Sequence, residues 1–508
     1  MKKLLTLMIV LTAIALMSTW QASAQNTSKD NIPGSDTLRK EVITLRDRIM
    51  GVEDRITNAE NDLAKLTKIK LSGYIQAQWE NYENSAAYPY NYFSLRRVRL
   101  KVQYEPVNGV IFVLQPDFVP GNITLKDAYV RVNEPWLKTF SLWAGQFNRP
   151  DYEVEYSSSS REVPERSRVI RAIYPGERAI GVKLEAAPQN IPLLFQLASF
   201  NGNENLTIKD AAGVNINTTN KDFDPFKDIM ARLVYTVKLG NFGALDLGAN
   251  GYYGKLRATS DTVLKSDYTV DKPVKVGSAL NRNWIGGELR LYMDIWGGMA
   301  IRSEWIYGIN AFPGYSGTVT VTSPETSTIS GDTLIFNALT TTTTSYLPNI
   351  RRNFTGGYIY LVKNIGKRHQ VAFRWDYYDP NTALKGDEIG LVKHAASSTT
   401  SVTTTNVIPG NPTVISNTTV NTVLNNTVTS GMDDIAYHTF TFAYNYFVTP
   451  NIRLQLAYEM PLNEKVGKNA SGTGNVIQKF NVNNQPGTND FSSRVPQNIL
   501  TVRLQAKF

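Results

Sequence analysis

The chain contains no cysteine. Disulfides, thiolate metal sites, cysteine nucleophiles and a lipidated N-terminal cysteine are therefore excluded. Histidine is almost as scarce, with 3 in 508 residues. His369, His394 and His438 fall in a predicted turn, a loop and a strand, so no two have the spacing of metal ligands. No metal and no cofactor are expected, and catalysis would have only His438 to work with. Charged residues make up only 19% of the chain, and no compact Lys/Arg run points to nucleic acid. Beyond the first residues, no apolar run approaches the about eighteen residues of a membrane-spanning helix. If this chain enters a bilayer it does so as a closed barrel, the other architecture that satisfies every backbone group in lipid.

What the chain does have is aromatic residues, 11% overall with 26 Tyr, and a formal charge of +9. Its length suits one large barrel or two to three globular domains. Residues 1–24 read as a signal peptide. Lys2 and Lys3 form the charged region, Leu4 to Met17 the apolar region, and Ala22-Ser23-Ala24 a cleavage site. Removing the two lysines leaves about +7 on the mature chain, a modest basicity that suggests anionic solutes or lipid head groups.

A linker (25–36) precedes a heptad segment over 37–69. Leu38, Val42, Leu45, Ile49, Val52, Ile56, Ala59, Leu63 and Leu66 alternate spacings of four and three. Charged residues fill the intervals, so a short self-associating coiled coil is expected in the periplasm. Gly51 weakens that helix by about 1 kcal/mol.

From residue 70 to the end the period is two. Leu71 to Trp79 and Phe93 to Tyr104 each set polar residues against apolar ones. In a soluble sandwich the apolar face would be core; in a membrane barrel it faces lipid and the polar face lines the lumen. The connections favour the barrel. Short joints (105–109, 133–138, 188–192, 240–243, 295–297, 364–369, 448–450) alternate with long ones (80–92, 148–178, 201–227, 254–281, 309–353, 380–433, 461–497), and only 119–122 breaks the pattern. This is the rhythm of short periplasmic turns and long external loops, along about sixteen antiparallel strands. The fold class expected is all-β, a transmembrane barrel preceded by a short coiled-coil helix. Two loops, 316–345 and 397–429, are rich in Thr, Ser and Asn and fit either disorder or β-ribbons. The last strand, Asn498 to Phe508, alternates and ends on Phe, resembling the assembly signal of outer-membrane barrels. The barrel assembly machinery is thus an expected partner through Phe508, and outer-membrane lipid through the apolar face.

Two sets of residues are candidates for the working surface. The long connection between the strand-like runs at Ser141 and Ala179 carries Arg149, Arg161, Arg166, Arg168, Arg171 and Arg178. It reads as a loop folded into the lumen, with Arg161, Arg166, Arg168, Arg171 and Arg178 as constriction residues, though an ordinary surface loop would carry the same charges solvated. Counting the inward phase, strands 16, 1 and 2 together present Arg503, Lys507, Arg97, Arg99 and Lys101 and no carboxylate. That contiguous sector is the expected anion track, because arginine offers several donors in a fixed fork. Elsewhere basic and acidic positions alternate, as in a salt-bridged lining.

Several stretches resemble the phosphate-selective porin O and P family. They are Gly145-Gln146-Phe147-Asn148-Arg149-Pro150, Ser157 to Ser160, Glu165-Arg166-Ser167 and Arg178-Ala179-Ile180-Gly181-Val182. Further likenesses are Leu95-Arg96-Arg97-Val98-Arg99, the run from Trp375 to Pro380, Asn445-Tyr446-Phe447, and Arg453 to Tyr458. The resemblance implies a homotrimer of sixteen-stranded barrels in the outer membrane, with infolded loops and a basic ladder that draw small anionic solutes such as phosphate through a water-filled pore. A non-enzymatic receptor or structural tether without an open channel is the alternative.

Overall fold

The computed structural model describes residues 68–83, 91–202, 207–209, 215–217, 222, 224–295, 297–322, 326–330, 333–390, 393–408, 411–429, 431–468, 477–482 and 485–508. The signal-peptide, linker and coiled-coil expectations, up to residue 67, lie outside the described residues. The chain divides after Lys68, and Ile69–Phe508 forms one compact unit.

That unit is a closed antiparallel barrel of 16 strands. They are β1 (Ile69–Tyr82), β2 (Asn91–Val107), β3 (Val110–Val119), β4 (Asn122–Asn133), β5 (Phe140–Asn148), β6 (Arg178–Ala186), β7 (Leu193–Phe200) and β8 (Asp228–Lys238). The second half comprises β9 (Gly243–Arg257), β10 (Ala279–Met293), β11 (Met299–Phe312), β12 (Asn349–Ile365), β13 (His369–Asp379), β14 (Tyr437–Thr449), β15 (Ile452–Asn463) and β16 (Ile499–Lys507). Each strand pairs with its sequence neighbour, and β16 pairs back onto β1 from Tyr74↔Lys507 to Tyr82↔Ile499, which leaves no open edge. All the expected short and long connections occur. Among the two-residue joints is Asn108-Gly109 between β2 and β3, where Gly109 takes φ 86°, a turn conformation that matches the twist of the flanking strands.

The first two strands run two or three residues further at each end than the alternation signalled. Alternation fades past Trp79, yet the backbone ladder continues through Glu80↔Tyr92 and Asn81↔Asn91. Hydrophobic contrast marks the lipid band, whereas hydrogen bonding carries the wall beyond it.

The burial pattern inverts that of a soluble protein. Leu71 is 63% exposed, Leu114 49% and Ile285 70%, while Gln76, Arg374 and Asp376 are 0% exposed. Apolar side chains therefore face outward to lipid and polar ones fill the interior, as bilayer solvation requires. Aromatic groups gather on the outer wall. Trp305 stacks on Tyr377, and Trp375 on His438, to which its indole N–H donates at 3.3 Å. His369 lies against Tyr444 and Tyr446. Such belts sit at bilayer interfaces, and they place His438 among aromatic rings on the outside of the wall.

The Thr-rich loops are β-ribbons. Tyr315–Thr322, Thr333–Leu347, Lys393–Ile408 and Asn411–Thr429 form one antiparallel sheet, with Thr326–Ser330 also paired to Thr333–Leu347. The two loops are joined within it, Phe336↔Val407 through Ser345↔Ser398.

The seam between first and last strands ends on Phe508. Its N–H and C=O exchange 3.0 Å hydrogen bonds with Gly73, and its ring lies where a Cβ on Gly73 would be. Deleting Phe508 removes the last rung and uncovers the glycine. The yield of folded, heat-modifiable barrel in the outer membrane is expected to fall, and an unchanged yield would remove this role.

Candidate functional site

Residues 149–177 leave β5 at the long-loop end and fold into the barrel. Asp151 caps the short helix α1 (Tyr152–Glu155), accepting from the Val154 N–H at 3.0 Å. A second short helix, α2 (Arg168–Ile173), buries Val169, Ile170 and Ile173. Beside it Tyr174 accepts a hydrogen bond from the Trp284 indole at 3.0 Å, and Trp284 stacks on Tyr252 with centroids 3.8 Å apart. These aromatics form an apolar footing inside an otherwise polar lumen. The alternation gave no sign of it, because Tyr252 and Trp284 occupy positions of polar phase.

The loop is fastened to the wall around most of its circumference. Glu155 pairs with Lys183 of β6 and Arg232 of β8, each at 3.0 Å, and accepts from Gln196 of β7 at 2.9 Å. Ser158 receives the Arg99 guanidinium at 3.1 Å, and the Ser159 carbonyl receives Gln505 of β16 at 2.9 Å. Glu162 holds Arg302 of β11 through both oxygens, at 2.7 and 3.1 Å, while its carbonyl accepts from Asn445 of β14 and Gln455 of β15. Arg168 donates from Nε to Thr439 at 2.9 Å, and its backbone N–H donates to Asp376 at 3.2 Å. With so many charge-assisted bonds to opposite walls, the loop forms a crosspiece in the lumen.

Glu165 changes the picture of the basic sector. It takes two 2.8 Å hydrogen bonds from Arg96 and lies 3.4 Å from Arg97 and from Arg503. Burial alone would raise its carboxyl, but Arg97, Arg96 and Arg503 outweigh that and hold it well below the usual carboxylate range. Arg99 in turn pairs with Asp117 of β3 at 2.8 Å. The count of no carboxylate on the three strands is corrected as well: β1 runs on to include Glu80, in the phase of Gln76 and Gln78, which accepts from the Tyr92 hydroxyl at 2.8 Å, and the loop and the next strand supply Glu165 and Asp117. Arg96 was not foreseen because strict alternation points it to lipid. A bulge in the β1–β2 register, where Gln76 faces Arg97 and Ala77 faces Leu95, re-aims it toward Glu165.

The remaining candidates fall into three groups. Arg166 bonds the carbonyls of Glu153 and Val154 and pairs with Glu177, and Arg178 pairs with Asp127 at 3.0 Å and with Glu177. Arg171 is exposed. Arg161 is 3% exposed, and none of its three guanidinium nitrogens reaches an acceptor among the described residues. Burial lowers its pKa from the ordinary value.

Below the crosspiece, toward the short-turn end, lies a cavity of about 310 Å³. Arg99, Lys101, Lys507, Arg166 and Arg178 line it together with Asp127, Glu155 and the Ser157–Ser159 run. Three residues of the expected anion track and two of the expected constriction set thus meet at one place, with five cationic side chains against two carboxylates. Asp127 and Glu155 are both engaged in ion pairs. The ammonium groups of Lys101 and Lys507 make no ion pair or hydrogen bond among the described residues; only their backbones are bonded, in the strand ladders. An anion entering here meets two uncommitted ammonium groups and serine hydroxyls.

Comparison with known proteins gives one family. The profile of the phosphate-selective porin O and P family matches residues 69–282. No curated protein matches the chain. Similar solved structures include the outer membrane channel DcaP of Acinetobacter baumannii, 10% identical, covering 87% of this chain and 97% of that one with a TM-score of 0.43. OmpF of Salmonella typhi is 8% identical over 87% and 97%, with a TM-score of 0.44. An anion-selective porin from Comamonas acidovorans is 10% identical over 87% and 99%, with a TM-score of 0.40.

Proposed function

With residues 69–282 matched to the phosphate-selective porin O and P family, we propose that this chain is an outer-membrane porin whose channel prefers small anions, phosphate among them. The observation that carries the preference is the basic cavity beneath the crosspiece, where Lys101 and Lys507 stand without carboxylate partners. A solute crossing the lumen passes within a screening length, about 8 Å at physiological salt, of those charges. Arg97 and Arg503 are assigned a second role beside the track, holding Glu165 and through it the loop. Arg161 completes the constriction as a buried cation that an anion can satisfy.

The test is the reversal potential of the full-length protein in a planar bilayer under a potassium chloride gradient. Chloride preference at low salt, shrinking at high salt, is expected. Cation preference would remove the anion track and leave a general porin; absence of conductance would favour the receptor or tether.

The functional unit is proposed to be a homotrimer, with the heptads of residues 38–66 supporting self-association in the periplasm. A peptide of those residues is expected to sediment as a trimer, and a monomer at high concentration would remove the coiled coil while leaving the barrel.

A further inference from the structure

A second cavity, of about 580 Å³, opens at the long-loop end of the barrel. Its floor is α2, which contributes Arg168, and its walls are strand ends and external loops. Leu264, Tyr268, Ile435 and Phe491 pack into a buried cluster that braces the loop side, and Ile350 and Tyr437 rest against it. The site is built rather than incidental. Arg352 donates from Nε to Asp434 at 2.9 Å and from a terminal nitrogen to the Tyr268 hydroxyl at 3.2 Å, and the same hydroxyl donates to Asp434 at 2.7 Å.

Two features set this cavity apart from the basic one below the crosspiece. The first is its apolar surface, with Phe312, Tyr378 and Tyr437 presenting rings to the space. A hydrated inorganic anion gains nothing from such a lining, whereas a flat organic body buries apolar area against it. The second is Arg168. Its guanidinium lies 4.2 Å from the Tyr437 ring centroid, and Nε is fixed on Thr439. Its two terminal nitrogens have no acceptor among the described residues, which leaves a planar fork of open donors on a residue that lines the cavity. A carboxylate matches that fork with two parallel hydrogen bonds. The volume falls in the range that encloses a small organic ligand, roughly 300–1,000 Å³.

We infer that this outer vestibule is a binding site for an aromatic carboxylate, its carboxylate on Arg168 and its ring against Phe312, Tyr378 and Tyr437. The site goes beyond the small-anion channel, which needs no aromatic lining, and it would select organic anions before they reach the crosspiece.

Equilibrium dialysis of the detergent-purified full-length protein with radiolabelled benzoate tests this without requiring ion flow. Benzoate is expected to bind about tenfold more tightly than acetate or inorganic phosphate competes, the gain a ring contact supplies. Phe312→Leu and Arg168→Gln, each checked for heat-modifiable folding, are expected to weaken benzoate binding several-fold. Phe312→Leu should leave acetate competition where it was. Equal competition by benzoate and acetate would overturn the site, and so would benzoate binding indifferent to both substitutions. If Arg168→Gln fails to fold, Tyr437→Leu takes its place with the same expectation. Benzoate binding by a protein that conducts no ion would keep this site and discard the channel.

Discussion

Replacing Lys101 and Lys507 together with glutamate is expected to turn the channel from anion-preferring to cation-preferring. The cavity lining would change from five cations against two carboxylates to three against four. At an effective dielectric of about 20, unit charges about 4 Å apart interact by about 4 kcal/mol, an upper guide for a wet lumen. About a third of that is already a tenfold bias between ions of opposite sign. The reversal potential should therefore change sign at low salt, and the difference should shrink near 1 M, where screening acts within about 3 Å. Neither ammonium group holds a partner and the backbone ladder is untouched by the substitutions, so folding should survive. An unchanged reversal potential in a folded double variant would show that the cavity does not control passage. Charge reversal at Arg97 and Arg99 is a less discriminating test, because it strands Glu165 and Asp117 as well as altering the field.

The second large effect is expected from Glu165→Gln. The substitution removes the charge that ties Arg96, Arg97 and Arg503 to the loop. Breaking a fully buried ion pair by removing one partner costs about 3–5 kcal/mol, and with Glu165 21% exposed and Arg96 40% exposed the loss here falls below that. With Glu165 also accepting from Arg374 through its carbonyl, the turn should loosen while the sixteen-strand ladder stays intact. Higher and noisier single-channel conductance is the expected reading. The wild-type attachment should resist acid. A carboxyl whose folded pKa is depressed contributes stability that is fully present above its unfolded value, about 4.3, and is lost only as pH falls through the lower folded value. If conductance is unchanged in Glu165→Gln, the loop is held by its other anchors alone.

Much of the wall was legible in the sequence, because lipid imposes a period of two on one face and the rhythm of joints fixes strand count. The lumen was less legible. Alternation states which side of the wall a residue faces but not what arrives from across the barrel. Glu165 and Glu162 lie in the loop, so nothing in the strands announces that they meet Arg503 or Arg302. Arg96 was hidden by a bulge, since one extra residue breaks the phase that alternation relies on. The two lysines were found because they sit on regular strand positions, and their lack of partners emerged only from the fold.

The crosspiece also sets the order in which this molecule can be completed. Its anchors come from late in the chain: Arg503 reaches Pro164 across 339 positions, and Asn445 reaches Glu162 across 283. The seam bonds are more distant still, with Gln76 donating to Gln505 across 429. Contacts of such separation form late, after the entropy of closing long loops has been overcome. The loop therefore has no complete set of partners until β16 arrives, and the same strand that shuts the wall also seats the loop. A chain cut short before β16 would present two unpaired strand edges and a lumen of unsatisfied arginines. Both faults invite aggregation rather than a leaky channel.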